Sequence, residues 1–325
     1  TNNVAYIAIC ILGGALAISG AINVGDVVAF VLYAKLFAGP LESIAQGLST
    51  MQRTLASAGR VYDMLDRDEL EKPSGRPVPR GNGHICFEHV DFSYVPEKPL
   101  IRDLNIDVEP GHKVAIVGPT GGGKTTIVNL LMRFYDVDAG RIIIDGVDTK
   151  TMERADLRAM FSMVLQDTWL FSGSIYENIA YGKADATREE VMEAARRAHI
   201  DFFVDTLPDG YETQINEETT NISSGQKQLL TIARAYLANR SILILDEATS
   251  NVDTRTEILI QQTMDELMQR RTSFVIAHRL STIVNADTIL VVNEGRIVEQ
   301  GTHTQLLNKN GFYAEIYNSQ YALLG

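Results

Sequence analysis

Cysteine is scarce in this chain. Cys10 and Cys86 are the only two, and neither has a nearby partner or metal-ligand spacing. Neither a disulfide framework nor a zinc site finds support, and a reducing cytosol suits the soluble part. Basic runs are also lacking: the longest, Arg196-Arg197 and Arg270-Arg271, are short. The electrostatic footprint that nucleic acid requires is therefore missing. The opening residues, Thr1-Asn2-Asn3, have no initiating methionine and no basic segment, and the apolar run behind them has no cleavage pattern. A signal peptide does not fit, and the start reads as a cut through a longer protein.

Residues 4–22, VAYIAICILGGALAISGAI, carry no charge at all. Such a run approaches the length a helix needs to cross a bilayer. Gly13, Gly14 and Ser19 within it suit close packing against other helices. A polar turn, Asn23 to Asp26, leads to a second apolar run from Val27 to about Ala45 that includes Lys35 and Pro40. The turn has no Lys or Arg, whereas Arg53 and Arg60 follow the second run. Positive-inside logic puts the turn outside and residue 50 onward in the cytosol. Lys35, near the middle of the second span, either lines a wet cavity that touches cargo or serves a structural pair. Leu48, Met51, Leu55, Ala58, Val61, Tyr62 and Leu65 then continue a helical stripe.

The net charge of −12 lies almost wholly beyond this part: of 41 acids and 29 bases, residues 1–60 hold only Asp26 and Glu42 against Lys35, Arg53 and Arg60. Pro73, Pro77 and Pro79, set among charges and glycines, mark a linker. The expected organisation is a partial membrane domain over 1–66, a linker over 67–83 and a soluble domain over 84–325. In the last, Val114–Val117, Ile142–Ile144, Met163–Leu165, Ile242–Leu245, Phe274–Ala277 and Ile289–Val292 are short apolar runs of the kind buried parallel strands use. Helical segments separate several of them, which predicts an α/β fold around a parallel sheet.

The strongest local signal is Gly118-Pro119-Thr120-Gly121-Gly122-Gly123-Lys124-Thr125, followed by Thr126. It matches GxxxxGK[ST], directly follows the strand candidate Lys113–Val117 and opens a helix candidate, Thr125–Phe134. The glycines let backbone N–H groups turn toward phosphate oxygens, and a helix N-terminus adds partial positive charge. Lys124 would neutralise the β- and γ-phosphates of ATP, and the Thr125 hydroxyl would hold Mg²⁺. A second signal is Ile242-Leu243-Ile244-Leu245-Asp246-Glu247, four apolar residues ending in two carboxylates. At the C-terminal edge of the sheet, one carboxylate can order a magnesium shell and the other can polarise an attacking water.

Together these motifs resemble the ATP-binding cassette (ABC) family. Asn221-Ile222-Ser223-Ser224-Gly225-Gln226 is similar to its LSGGQ signature and precedes Asp246-Glu247 at the family's spacing. Gln166 resembles the Q-loop glutamine, Ser250-Asn251-Val252-Asp253 the D-loop, His278 the H-loop histidine, and Tyr94 the A-loop aromatic that stacks on adenine. Residues 4–65 look like the last two membrane spans of a type IV exporter. The resemblance implies a P-loop NTPase cassette with a RecA-like core, an antiparallel β subdomain and an α-helical signature subdomain, preceded by an all-α transmembrane hairpin. It assigns Glu247 as general base, His278 as a γ-phosphate contact, and Gln166 to Mg²⁺ and the lytic water, with Asp246 on the metal. Ser223, Ser224, Gly225, Gln226 and Asp253 would serve the ATP held by a partner chain. The remaining histidines, His84, His89, His112, His199 and His303, receive no such role.

The signature departs from the family pattern at Ile222 and Ser224, and the D-loop reads Asn-Val where Ala-Leu is commoner. The segment from Thr213 to Thr219 has Asn216 and Thr219 where the family's loop has glycines, but keeps Glu217. Lys124, Asp246, Glu247 and His278 are intact. The chain thus resembles the catalytically complete half of a heterodimeric bacterial multidrug exporter, multi-pass in the plasma membrane, moving a drug, lipid or peptide. Two other classes compete: a soluble cassette ATPase, which should lack the charge-free run, and a regulatory half with little turnover, which intact Glu247 and His278 oppose.

Overall fold

An apolar helical hairpin begins the chain, α1 over Asn2–Ile18 and α2 over Val24–Leu65. The structure is a computed structural model that describes residues 2–67, 81–165, 168–216, 222–246, 252–277 and 280–320. Contacts divide it into two units, Thr1–Glu71 and Lys72–Gly325.

In the first unit, α1 stops four residues before the end of the charge-free run. Gly20 takes a left-handed φ of 76°, and the Ala21 N–H reaches back to the Leu16 carbonyl at 3.0 Å. That is the glycine-terminated ending helices favour. Gly13 allows α1 to approach α2: a Cβ there would lie 2.8 Å from Val27 Cγ1, whereas Gly14 faces open space. The helix α2 runs on through Pro40 for 42 residues and is long and apolar enough to cross a membrane, with a mean hydropathy of 1.6 over its best window. The other helix of the hairpin is shorter, apolar from Tyr6 to Ile18. The ammonium of Lys35 lies 6.0 Å from the centre of the Tyr6 ring.

In the second unit, β1 (Ile85–Phe92), β2 (Ile101–Val108), β4 (Ala139–Ile144) and β5 (Val147–Asp148) form an antiparallel sheet in the order β2-β1-β4-β5. The main sheet holds β3 (Lys113–Val117), β6 (Phe161–Val164), β9 (Ile242–Asp246), β10 (Thr272–Ile276), β11 (Thr288–Asn293) and β12 (Arg296–Gly301). Its order is β12-β11-β3-β10-β9-β6, parallel except for the edge strand β12. A two-stranded pair, β7 (Gly173–Ser174) with β8 (Gln214–Ile215), lies apart. Helices α3 (Lys124–Leu131), α4 (Arg154–Arg158), α5 (Ile175–Ala180), α6 (Arg188–Arg197), α7 (Asp201–Val204), α8 (Ser224–Ala238), α9 (Thr254–Met268), α10 (Leu280–Val284), α11 (His303–Lys309) and α12 (Phe312–Gln320) complete it.

The period-two alternation of strands divides the core into two layers. Ala115, Val117, Leu243, Leu245 and Val275 pack in one cluster with residues of α5, α6, α8 and α9. Val114, Ile116, Ile242, Ile244 and Phe274 pack in the other with α3 and the antiparallel sheet. Strands covered on both faces read as continuous apolar runs, so the run Ile142–Ile144 looked like its parallel counterparts. It pairs instead antiparallel with β1 and β5. The helix expected over Thr125–Phe134 is α3, which begins at Lys124 and ends at Leu131.

Candidate active site

The P-loop joins β3 to α3, and its glycines are fixed by what surrounds them. Gly118 has φ 148°, and a Cβ there would lie 2.0 Å from the Val292 carbonyl oxygen at the end of β11. Gly123 caps α3 with φ 108°. The turn between β11 and β12 braces the loop from behind: the Gly295 N–H donates to the Gly122 carbonyl at 3.0 Å. The exposed N–H end of α3 therefore closes a loop whose backbone is held by neighbouring strands, a geometry suited to anions.

The ammonium of Lys124 donates to the carbonyls of Gly118 (2.9 Å) and Pro119 (3.0 Å), so it lies across the loop mouth. Burial pushes its pKa below the ordinary lysine value, while the Asp246 carboxylate pulls it back up. That coupling brings Asp246 within electrostatic reach of the P-loop. The register explains it: Asp246 stands opposite Ile276 on β10, and Ile276 opposite Ile116 on β3. Two strand spacings separate Asp246 from the loop's strand, about 10 Å of backbone.

Gln166, Glu247 and His278 lie outside the described residues. The strands that precede them in the chain, β6, β9 and β10, have adjoining ends, with Val164 opposite Leu245 and Asp246 opposite Ile276. Ligands of parallel α/β sheets gather at such carboxyl ends. Thr125, exposed on the first turn of α3, and Asp246, half-buried at the end of β9, offer a hydroxyl and a carboxylate. These oxygen donors fit Mg²⁺ beside phosphate.

Tyr94 is tied to the same helix. Its hydroxyl lies 3.4 Å from Thr126 Oγ1 and accepts from Asn129 Nδ2 at 3.3 Å. Phe92 and Tyr135 meet its ring edge-on, with centroids 4.8 and 4.9 Å away. Tyr94 is 46 % exposed and offers a fixed aromatic surface at the flank of the P-loop helix. Sequence reasoning missed Tyr135 and Asn129; only the aromatic pair Phe134-Tyr135 after the helix hinted at them. A cavity of about 150 Å³ on the loop is lined by Pro119, Thr120 and Lys124 and by Tyr313, Ile316 and Tyr317 of α12. The Tyr313 hydroxyl is 2.7 Å from His303 Nδ1, so that histidine braces the wall of this cavity.

The signature residues form a second cluster at the starts of α8 and α9. Ser223 caps α8: its hydroxyl accepts the Gln226 N–H at 3.3 Å, and the Gln226 side chain accepts the Ser223 N–H at 2.9 Å. Asp253 caps α9 through the Thr256 N–H at 3.0 Å, a contact that holds its carboxyl below the ordinary range. Gly225 is buried, and a Cβ there would lie 2.4 Å from Thr256 Cγ2. Both Ser223 and Ser224 are exposed. None of these residues lines the cavity at the P-loop.

The family profile described as "ABC transporter" matches residues 101–250. A "Fatty acid ABC transporter ATP-binding/permease protein" of Mycobacterium bovis is 54% identical over 316 residues, covering 97% of this chain and 50% of that protein. Residues 101–250 belong to an ABC transporter domain. An "ATP-dependent lipid A-core flippase" of Methylobacillus flagellatus is 45% identical, covering 93% of this chain and 52% of that protein. The solved "Structure of a bacterial Atm1-family ABC exporter with ATP bound" overlays with a TM-score of 0.76 at 39% identity, covering 98% of this chain and 57% of that one. The chain thus spans about half the length of the curated relatives it matches. Its ABC domain is a nucleotide-binding unit, and the hairpin of α1 and α2 falls inside the matched length.

Proposed function

We propose that this chain is the ATP-hydrolysing part of a membrane exporter, in which cassette closure over ATP drives reorientation of membrane helices. The observation that carries the reading is one chain holding both the apolar hairpin and the P-loop braced by β11, with 98% of it covered by the overlay on a solved ABC exporter. The cassette would lie in the cytosol and the hairpin would form part of a multi-pass domain in the plasma membrane of a bacterium.

Tyr94 offers its exposed face to the adenine, and Lys124 leaves the loop carbonyls to neutralise the β- and γ-phosphates. Thr125, Asp246 and Gln166 would hold Mg²⁺, which when bound would spread the charge of the phosphates. The Glu247 carboxylate takes a proton from water. The water oxygen forms a bond to the γ-phosphorus as the bond to the β,γ-bridging oxygen breaks, and ADP leaves with that electron pair. His278 donates to the γ-phosphate. Ser223, Gly225 and Asp253 act on the nucleotide of the partner chain. The cargo is hydrophobic: a drug, lipid or peptide.

The test uses the full-length protein in lipid vesicles with fluorescent acyl-anion, phospholipid and cationic-drug probes. ATP should drive movement of at least one, and a non-hydrolysable analogue should not. Hydrolysis that moves none of them and responds to none would overturn the exporter reading. The partner is a second, non-identical half. Its signature would then complete this chain's P-loop, while Ser223 would face a partner site of low turnover. Replacing Ser223 with arginine should accordingly leave at least about half the turnover of the complex, whereas an identical pair would lose about 100-fold. Steady-state ATPase of the co-purified complex separates the two.

A further inference from the structure

On the signature helix α8, Arg234 is held by two backbone carbonyls, an amide oxygen and three aromatic rings. Its Nε donates to the Asn178 carbonyl at 2.5 Å, its Nη2 to Asn178 Oδ1 at 2.5 Å and its Nη1 to the Trp169 carbonyl at 2.7 Å. The guanidinium carbon lies 6.0 Å from the Trp169 ring and 5.7 Å from both the Phe171 and Tyr181 rings. Among the described residues no carboxylate pairs with it. Burial draws its pKa down to about 10, so it stays charged at neutral pH.

Its principal partner is itself locked. Asn178 is fully buried, and its amide donates to the carbonyls of Phe171 (3.1 Å) and Ser174 (3.0 Å). A planar fork reaching a carbonyl, an amide oxygen and a second carbonyl at once is a job for arginine; lysine, a single point donor, cannot span it. A second contact closes the same joint. A Cβ on Gly182, just past α5, would lie 2.4 Å from the Arg234 carbonyl oxygen. Arg234 thus ties α8 to residues 168–182, the segment that follows Gln166 in the chain.

Lever geometry makes this joint matter to chemistry. Ser223 caps the far end of α8, about 16.5 Å from Arg234 along the axis. A tilt of about 5° at Arg234 would shift the start of α8 by about 1.4 Å relative to residues 168–182, and a shift of about 1 Å in the residues that hold a catalytic group can cost about 100-fold in rate. We propose that Arg234 is a positioning residue for ATP hydrolysis, holding the signature helix and the segment after Gln166 as one body. This rests on the ATPase reading above.

The test is steady-state ATPase of the full-length complex for wild type, Arg234→Lys, Gly182→Ala and the double variant. In the proposed heterodimer Gln166 belongs to the catalytic site, so tilting the joint acts there through residues 168–182. Each single variant should lower kcat about tenfold while KM for ATP stays within about twofold, because the P-loop and Tyr94 lie on other elements. The double variant should be no slower than the worse single one, because both break one joint. Turnover of Arg234→Lys within twofold of wild type would overturn the proposal. So would KM rising in step with the fall in kcat, or losses that multiply in the double variant. Absence of hydrolysis in the wild type would instead sink the ATPase reading itself.

Discussion

Replacing Lys124 with alanine is expected to weaken ATP binding by at least about 30-fold and to abolish turnover. The ammonium already lies across the loop, 2.9 and 3.0 Å from the Gly118 and Pro119 carbonyls. Triphosphate oxygens would be better acceptors than those neutral carbonyls, since a hydrogen bond to a charged group is worth about 1.5–3 kcal/mol. The helix end and backbone N–H groups of α3 would remain in the variant. Some residual affinity should therefore survive, with most of it lost from the phosphate end. Titration with a fluorescent ATP analogue measures this directly, and an unchanged Kd would remove Lys124 from the site.

The second large effect is expected at Gly118. Two costs coincide there: a φ of 148°, which L residues avoid, and a Cβ that would lie 2.0 Å from the Val292 carbonyl oxygen. The obstacle is backbone at the end of a central strand, so it cannot rotate away as a side chain would. Strain and overpacking each cost about 1–3 kcal/mol. Gly118→Ala should therefore lower the Tm of the cassette transition by roughly 5–20 °C and eliminate ATP binding. Gly121 supplies the comparison. It has φ 79° but open space around its Cβ position, so Gly121→Ala should cost only about 1–2 kcal/mol. Thermal unfolding of the two variants side by side distinguishes the clash with Val292 from the cost of left-handed backbone alone.

The P-loop was legible in the sequence because its chemistry is carried by the backbone: glycines, a lysine and a helix start sit at fixed intervals within one strand–helix unit. The α/β class was legible for a related reason, since strands buried on both faces leave unbroken apolar runs. Strand order was not. Nothing local in Leu290-Val291-Val292 says that β11 lies beside β3 and braces Gly118, or that β10 separates β3 from Asp246. The same limit hid the antiparallel placement of Ile142–Ile144, whose apolar pattern is that of any covered strand. Helix ends were readable only in part: Gly20 signalled the stop of α1, but the uncharged residues beyond it masked the signal. Tyr135 and Arg234 could not be found, because their partners come from distant segments. Arg234 in particular has no acid at helical spacing to betray it; carbonyls and rings near residues 169–181 hold it instead.

The central claim is that this chain's P-loop turns over ATP with Glu247, the residue after Asp246, as the base. The most direct measurement compares Mg²⁺-dependent ATPase and ATP affinity of the full-length complex before and after Glu247→Gln. The isosteric amide keeps the shape and removes the proton acceptor, so turnover should fall about 100- to 1,000-fold while ATP affinity stays within about threefold. A variant that hydrolysed ATP at the wild-type rate would contradict the account.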